Sequence, residues 1–383
     1  SGNRSAKYLI KALNLINFSV AVYASKKNYT ELQHEEIKNN DCLYFPKSDY
    51  NYTQQIFRKK ADLEFAAVID DYNPDFVFYF GTIKNKISID FCIKNNIKYL
   101  YLALTTEYYC IKTYAGLKNA PCYKCLKGSL TAPLLNKCMT NKIGILNYIK
   151  DKSIELRNRK RIVNAHHVFG YSQNQIDTLV EYGVDRDKTI ELPVFFDPNS
   201  TNQIQPQAGE KFLIAGEILS DKGSFLIPDI IKKTKNVKYK LIIKKNFTND
   251  FIKANKLELY IENGTLEIID YLKTHELFLK EIARSKGVLI PSYYPTTGEF
   301  TMIEALMFGK PVVVFDIGMH QNFFIDKQNG MVAKAGDVNE YYKKIELLNN
   351  DKKLYKNVSV GAKNLFDQIT SFDRFKTQFK KIF

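Results

Sequence analysis

Short apolar runs along this chain alternate with longer segments in which apolar residues recur at helical spacing. In the second half, the run at residues 287–290 leads through a turn-rich loop to a helical stretch at residues 300–308 and then to PVVVF at residues 311–315. A continuous, β-branched apolar run is typical of a strand buried on both faces of a parallel sheet. Residues 287–315 are therefore predicted to form a strand–helix–strand unit.

The same alternation extends over most of the chain. The pattern predicts helices at residues 51–72, 87–95, 140–161, 275–285, 338–349 and 351–366, and strands at residues 76–81, 98–104, 211–215, 239–243 and 266–269. Helices that alternate with short apolar strands are typical of parallel, doubly wound sheets. We therefore expect an α/β fold.

Two domains are expected because 383 residues exceed the usual size of a single hydrophobic core. The segment NSTNQIQPQAGE at residues 199–210 is polar, contains Pro and Gly, and lacks hydrophobic periodicity, as linkers do. The sequence thus predicts an N-terminal Rossmann-like domain at residues 1–198 and a second Rossmann-like domain at residues 211–366.

The net charge of the chain gives a general indication of its binding partners. A formal net charge of +15 favours binding to anions such as nucleic acid, anionic lipid or phosphorylated substrates. No apolar stretch approaches the length that spans a bilayer, and no charged-then-apolar leader precedes the first helix. These features predict a cytoplasmic protein.

Glu304 is the first candidate for a binding role. In strand–helix–strand units, ligands bind beyond the carboxyl ends of the strands, where loop amides and a helix N-terminus meet. Residues 294–299 form that loop, and Glu304 follows about one turn into the helix. Its carboxylate can accept hydrogen bonds from two vicinal hydroxyls, as a ribose offers. A surface Glu on an amphipathic helix explains the same pattern, so both interpretations stay open at this point.

The segments PSYYPTTGEFTMIEALMFGKPVVV and NGMVAKAGD resemble the donor-binding signature of the retaining glycosyltransferases of family 4, which have the GT-B fold. The positions that match are Glu304, Ala305, Gly309, Pro311, Val312, Val313, Asn329 and Gly330. The resemblance implies that Glu304 binds the ribose of the donor. Thr296 stands at the first acidic position of the family, and the nearest carboxylate is Glu299, to which the resemblance assigns contact with the transferred sugar.

The resemblance also implies how the rest of the donor is bound. Residues 216–223 are similar to the family's phosphate-binding segment, in which Lys222 matches the lysine that neutralises the diphosphate and Glu217 replaces a usual basic residue. Lys222 and Glu299 are thus the catalytic candidates. The remaining donor-binding candidates are Gly216, the loop and helix residues Gly298, Phe300 and Thr301, and, at the nucleobase, Tyr271 and Leu272.

For the first domain, the resemblance implies an acceptor-side role. Thr106 and Glu107 stand where relatives commonly place a His-containing pair that faces the sugar, so these two residues are the acceptor-side candidates. The GT-B pattern places the two Rossmann-like domains face to face across a cleft. It further implies that residues 367–383 cross back onto the first domain.

Four cysteines form a second constellation. Cys110, Cys122, Cys125 and Cys138 place a Cys-x-x-Cys pair between two single cysteines, a spacing compatible with a four-thiolate structural zinc site. Four reduced thiols without metal are the alternative.

The predicted helix at residues 140–161 is rich in Lys and Arg. Such a helix can contact an anionic membrane, where each basic residue near the headgroups contributes about 1 kcal/mol. A solvated helix face is the more frequent explanation of a charge run. The first interpretation would place the protein at the inner face of the cell membrane.

The implied function is retaining transfer of a sugar from a UDP- or GDP-sugar to a glycan or lipid-linked acceptor, in bacterial surface polysaccharide synthesis, with no cofactor required for the donor chemistry. A nucleotide-sugar epimerase or hydrolase of the same fold is one alternative. A nucleic-acid-binding protein is another, suggested by the basic charge and the many Tyr and Phe residues. Because no nucleic-acid motif is present and the aromatics fall largely in predicted strands, nucleic acid is not an expected partner.

Overall fold

The structure is a computed structural model. It describes residues 2–23, 43–44, 55–80, 87–110, 115–117, 120–129, 131–136, 138, 145–196, 204–215, 222–243, 245–270, 272, 274–295 and 297–382.

The α-helices of these residues are α1 (Gly2–Leu15), α2 (Gln55–Tyr72), α3 (Ile87–Lys94), α4 (Ala132–Leu135), α5 (Ile145–Val163), α6 (Gln173–Tyr182), α7 (Ile227–Lys233), α8 (Lys245–Asn255), α9 (Glu258–Glu262), α10 (His275–Arg284), α11 (Phe300–Met307), α12 (His320–Phe323), α13 (Val338–Asn350), α14 (Lys352–Ile369) and α15 (Phe372–Phe379).

The strands are β1 (Val22–Tyr23), β2 (Leu43–Tyr44), β3 (Val77–Phe80), β4 (Tyr99–Leu102), β5 (Gly116–Leu117), β6 (Ala120–Pro121), β7 (His167–Gly170), β8 (Thr189–Glu191), β9 (Lys211–Ala215), β10 (Lys238–Ile243), β11 (Leu266–Asp270), β12 (Gly287–Ile290), β13 (Val312–Phe315) and β14 (Met331–Ala333).

The chain divides into two compact units. The first comprises Ser1–Ala115, Tyr123–Phe196 and Ser371–Phe383, and the second comprises Gly116–Cys122 and Asp197–Thr370. The short C-terminal helix α15 thus belongs to the first unit, whereas α13 and α14 belong to the second.

The second unit contains a six-stranded parallel sheet in the order β11-β10-β9-β12-β13-β14. Counted from β9, this is the order 3-2-1-4-5-6 of a Rossmann fold, in which the direction of winding changes between the first and fourth strands. Strands β12 and β13 are buried at every residue, as expected for a parallel sheet covered by helices on both faces. The fold therefore has its switch point between β9 and β12.

The first unit contains a four-stranded parallel sheet in the order β3-β4-β7-β8 and a separate parallel pair, β1 and β2. Its core is rich in tyrosine: Tyr99, Tyr101, Tyr108, Tyr109 and Tyr182 are all at most 3 % exposed. The predicted α/β class is confirmed in both units.

Side-chain caps explain where several helices begin. Thr274 accepts a hydrogen bond from the Leu277 amide at the start of α10, and Asp337 and Asp351 cap α13 and α14 in the same way. Each such cap stabilises a helix by roughly 0.5–2 kcal/mol. These caps fix the first turns of three helices of the second unit.

Part of the predicted linker is bound to the second unit. Within residues 204–210, the Gln207 amide donates to the Ala283 carbonyl, and the buried Lys310 ammonium donates to the Gln207 carbonyl at 2.5 Å. Burial lowers the pKa of Lys310 to about 8. The described part of this segment is therefore held against the domain that follows it, while residues 199–203 lie outside the described residues.

Candidate active site

The site lies at the switch point of the second sheet, where the carboxyl ends of β9 and β12 are neighbours. Lys222 follows β9, and the loop at residues 291–299 connects β12 to α11. Parallel sheets of this order bind ligands at this place, because the loops diverge and leave a crevice. The sequence thus delivers a lysine and an acidic loop to one edge of the sheet.

Gly223 brings the lysine segment against this loop. Its φ is +73°, and a Cβ at this position would lie 1.9 Å from the carbonyl oxygen of Pro291. Only glycine tolerates both the left-handed backbone and so close an approach. The segment that carries Lys222 is consequently pressed against the loop that carries Glu299.

Both carboxylate oxygens of Glu299 are hydrogen-bonded. The Ser292 hydroxyl donates to Oε1 at 2.7 Å, and Oε2 lies 3.0 Å from Nε2 of His320. The other ring nitrogen of His320, Nδ1, lies 3.0 Å from the carbonyl oxygen of Phe315. Glu299 is therefore fixed by its own loop and by the segment that follows β13.

The electrostatics keep this carboxylate ionised. Burial alone would raise the pKa of Glu299, but the hydrogen bond and charge of His320, the Ser292 hydrogen bond and the charge of Lys222 outweigh it and hold the pKa below its ordinary value. Lys222, the last of these causes, acts on Glu299 through its charge. The site thus combines an anionic carboxylate with a cation whose charge favours its ionised form.

Glu304 forms a second carboxylate–histidine pair. Its side chain is completely buried, and Oε1 lies 2.7 Å from Nε2 of His275, the first residue of α10. The His275 side chain is 39 % exposed and stacks on Phe278. The alternative of a surface Glu is wrong, because α11 is buried around most of its circumference.

The N-terminus of α11 adds a further positive region to the same loop. Glu299 occupies the N-cap position, yet its carboxylate makes no cap hydrogen bond because it is turned toward Ser292 and His320. The first amides of a helix carry partial positive charge and bind anions. The predicted donor residues Gly298, Phe300 and Thr301 all lie at this helix start.

Two of the other donor candidates cannot be placed. Gly216 and Tyr271 lie outside the described residues, while Leu272 is half-buried just after β11, at the carboxyl edge of the same sheet. The nucleobase role of this segment stays a prediction.

Thr106 and Glu107 lie in the first unit, in a short 3₁₀ helix after β4. Both side chains are buried, with 3 % and 4 % exposure. The structure thus places the acceptor-side candidates on a different unit from the donor candidates, and their role stays a prediction.

All four cysteines of the predicted zinc site lie among the described residues. Cys125 is buried in the apolar core of the first unit, Cys110 packs against that core, and the Cys138 thiol donates to the Asn136 carbonyl. Within the described ranges, no three His, Cys, Asp or Glu side chains are arranged to hold a metal ion. The zinc site remains a prediction from spacing, which metal analysis of the purified protein tests.

Three residues of the site were not singled out from the sequence. Ser292 lies in the Pro-Ser motif, which could have indicated it, but His275 and His320 carry no local signal. They are 29 and 21 residues from their glutamate partners. Only the fold brings them together.

Comparisons with known proteins bear on the family of the second unit and on the fold. Residues 198–365 match the sequence model of the family described as Glycosyl transferases group 1. The second unit therefore contains a domain of that kind. Comparison with curated proteins gives no match.

Several solved structures share the fold over the whole chain. HepE of Anabaena, in complex with UDP and glucose, has a TM-score of 0.68 at 14 % identity, covering 100 % of this chain and 96 % of its own. A glycosyltransferase from Rickettsia africae has a TM-score of 0.68 at 16 % identity, with 100 % and 94 % covered. Sucrose-phosphate synthase from Thermosynechococcus elongatus has a TM-score of 0.69 at 13 % identity, with 100 % and 92 % covered. The fold is GT-B, as the sequence resemblance implied.

Proposed function

We propose that this protein is a glycosyltransferase that moves a sugar from a nucleotide-diphosphate sugar to a hydroxyl acceptor with retention at the anomeric carbon. The observation that carries the proposal is that the backbone next to Lys222 contacts the loop carrying the ionised Glu299 and the N-terminus of α11, at the switch point of the sheet in the second unit. This site lies within the region that matches Glycosyl transferases group 1. UDP is the favoured nucleotide because HepE, of similar fold, was solved with UDP and glucose.

The chemistry requires charge stabilisation more than proton transfer at the donor. The bond between the anomeric carbon and the β-phosphate oxygen breaks, its electron pair stays on the phosphate, and the anomeric carbon bonds to the acceptor oxygen while the hydroxyl proton is released. Positive charge develops on the sugar and negative charge on the leaving diphosphate. Preorganised cations and amides lower the barrier at such a point.

The residues divide these tasks. Lys222 and the α11 amides stabilise the diphosphate, and Glu304 accepts hydrogen bonds from the ribose hydroxyls. Glu299, which is held ionised, acts as a hydrogen-bond acceptor for hydroxyls of the transferred sugar. No metal is needed for this set of contacts.

The acceptor is proposed to be a glycan or a lipid-linked sugar in bacterial surface polysaccharide synthesis, with Thr106 and Glu107 on the acceptor side. A lipopolysaccharide outer core galactosyltransferase, WaaB, supports this direction with a TM-score of 0.61 at 11 % identity. A cytoplasmic location at the inner face of the cell membrane would give access to lipid-linked acceptors.

Helix α5 supports contact with an anionic membrane. Ile149 and Leu156 are 57 % and 62 % exposed, and the spacing of seven residues places them on one helix face with the exposed Lys160. Apolar side chains can enter the headgroup region while neighbouring basic residues bind anionic lipid. Among the described residues, no helix has the length and hydrophobicity of a membrane span. Sedimentation with anionic vesicles, compared between wild type and a Leu156→Ser variant, tests this contact.

A panel of UDP- and GDP-sugars tests the activity. We expect one of them to raise the melting temperature and to release its nucleotide faster when a sugar acceptor is present. Acceptor-independent conversion at the same rate would favour the hydrolase or epimerase alternative. Stabilisation by oligonucleotides and by none of the nucleotide sugars would refute the proposal in favour of nucleic-acid binding.

A further inference from the structure

We propose that His320 is a positioning residue for this reaction, which holds the Glu299 carboxylate in the one orientation that receives hydroxyl groups of a neutral donor sugar. The inference rests on the proposed function. It gives a role to a buried histidine for which neither the sequence pattern nor the comparisons supply one.

The orientation of the His320 ring is determined by its neighbours. The Phe315 carbonyl can only accept, so Nδ1 of His320 must carry a proton and donate to it at 3.0 Å. Nε2 then faces Oε2 of Glu299 at 3.0 Å, and this hydrogen bond requires one proton between the two atoms. The ring is completely buried and packs edge-on against Phe324. His320 therefore cannot turn without losing both hydrogen bonds.

Both oxygens of the Glu299 carboxylate are held in turn. One hydrogen bond of Oε1 is made with Ser292, and one hydrogen bond of Oε2 is made with His320. Each carboxylate oxygen can accept a further hydrogen bond. The side chain keeps 10 % exposure, so a ligand approaches it along one narrow edge. The protein thus leaves a fixed pair of acceptor positions for hydroxyl groups.

The charged and titratable groups facing Glu299 come from several elements. His320 and Lys222 are the two whose charge lowers the pKa of Glu299, while burial raises it. The charge of Glu299 also acts on Tyr341 of α13, whose pKa is raised by burial and by that charge. If His320 is removed, the opposing effect of burial gains weight and the pKa of Glu299 rises.

A fixed and ionised carboxylate also selects among sugars. Neutral sugars offer hydroxyl donors to it, whereas a donor sugar with its own carboxylate would place two negative charges together in a poorly solvated site. We therefore expect neutral hexosyl donors to be used and uronic acid donors to be rejected.

Two substitutions separate the two hydrogen bonds of the ring. In His320→Gln the amide nitrogen can reach the position of Nε2 and still donate to Glu299, whereas in His320→Asn it replaces Nδ1 and leaves Glu299 without this partner. The assay is release of UDP from UDP-glucose with water as the acceptor, measured across a range of pH together with UDP affinity. His166→Asn, at the amino end of β7 in the first unit, is the control.

The expected result is a roughly 10²-fold lower kcat for His320→Asn, as for a misplaced reacting group, with UDP affinity nearly unchanged. The acid limb of its pH profile moves to higher pH because the Glu299 carboxyl now titrates there. His320→Gln recovers part of the rate, and His166→Asn matches wild type. If His320→Asn does not fold, Ser292→Ala removes the other anchor of Glu299 and should lower kcat with the same preserved UDP affinity.

A His320→Asn variant with the wild-type rate and pH profile would overturn the inference. Loss of both UDP affinity and rate in His320→Asn and in His320→Gln would also overturn it, because such a result indicates a structural role only. Failure of the proposed function looks different, since the wild-type protein would then be stabilised by no nucleotide sugar of the panel and would release nucleotide from none of them.

Discussion

The two carboxylate–histidine pairs of the second unit differ in how freely their partners can be exchanged. In the Glu299–His320 pair the histidine is completely buried and both carboxylate oxygens are bonded within the protein. In the Glu304–His275 pair the carboxylate is the buried member, and the histidine is 39 % exposed at the start of α10. A ligand can displace a half-exposed histidine without opening the core, but it cannot displace a buried one.

This difference assigns different tasks to two similar pairs. A carboxylate whose surroundings are fixed suits the reacting sugar, where small displacements cost rate. A carboxylate whose partner can move suits the nucleoside, which must enter and leave in each cycle. We expect substitutions at the first pair to change mainly turnover and substitutions at the second to change mainly affinity.

The largest change in turnover is expected from the loss of Lys222. Lys222→Ala removes the cation whose charge helps to lower the pKa of Glu299 and that is proposed to bind the leaving diphosphate. Turnover at saturating donor should fall by roughly 10²–10³-fold, the usual cost of losing one preorganised charge-stabilising group. Initial rates test this prediction. Lys238→Ala, at the amino end of β10 in the same sheet, is the matched control. Equal rates for the Lys222→Ala variant and wild type would remove Lys222 from the site.

The next largest effects are expected when each carboxylate is replaced by an amide, and they test directly whether the two pairs have different tasks. Glu304→Gln should weaken UDP binding by roughly 10- to 100-fold, because charge-assisted hydrogen bonds contribute about 1.5–3 kcal/mol. Glu299→Gln should instead lower turnover more than UDP affinity. Calorimetric titration and steady-state kinetics on both variants provide the test, and unchanged UDP affinity in a folded Glu304→Gln variant would exclude the ribose role.

A smaller effect is expected at the exposed histidine. The His275 side chain is 39 % exposed and is proposed to move aside for the nucleoside, so it contributes little to the bound state. His275→Gln should therefore change UDP affinity by less than about fivefold and leave turnover unchanged. If His275→Gln proved as damaging as His320→Asn, the two pairs would be equally fixed and the comparison would fail.

The smallest effect concerns the pH dependence of stability. Because the folded-state pKa of Glu299 lies below its ordinary value of 4.5, this group stabilises the fold above that value and the contribution is lost as pH falls through the folded pKa. The stability difference between wild type and Glu299→Gln should therefore shrink as the pH is lowered below 4.5. Urea unfolding at several pH values measures it, and a difference that grows on acidification would contradict the sign.

The strands of the second unit were largely predictable from the sequence. Residues 211–215 and 287–290 form β9 and β12 as predicted, because strands buried on both faces appear as continuous apolar runs. The run at residues 311–315 begins its ladder one residue late, at Val312, since Pro311 has no amide to donate. Helix α14 extends to Ile369, beyond the predicted end at residue 366.

The histidine partners could not be predicted. A carboxylate at a loop or helix start can be identified in the sequence. Its histidine partner lies on a different element, and only the order of the strands in the sheet brings the two together. The cysteines are a different case, because their zinc-like spacing stays a prediction. Cys125 lies in the apolar core of the first unit and Cys110 packs against that core.

The close approach of Gly223 to Pro291 has a consequence for protein engineering. A methyl group on residue 223 would lie only 1.9 Å from the Pro291 oxygen, so a side chain there would force one backbone away from the other. Gly223 and Pro291 should therefore be transplanted together, although almost seventy residues of chain lie between them. A chimera that takes its lysine segment from one parent and its acidic loop from another should assemble well only when the parent of the lysine segment supplies this glycine.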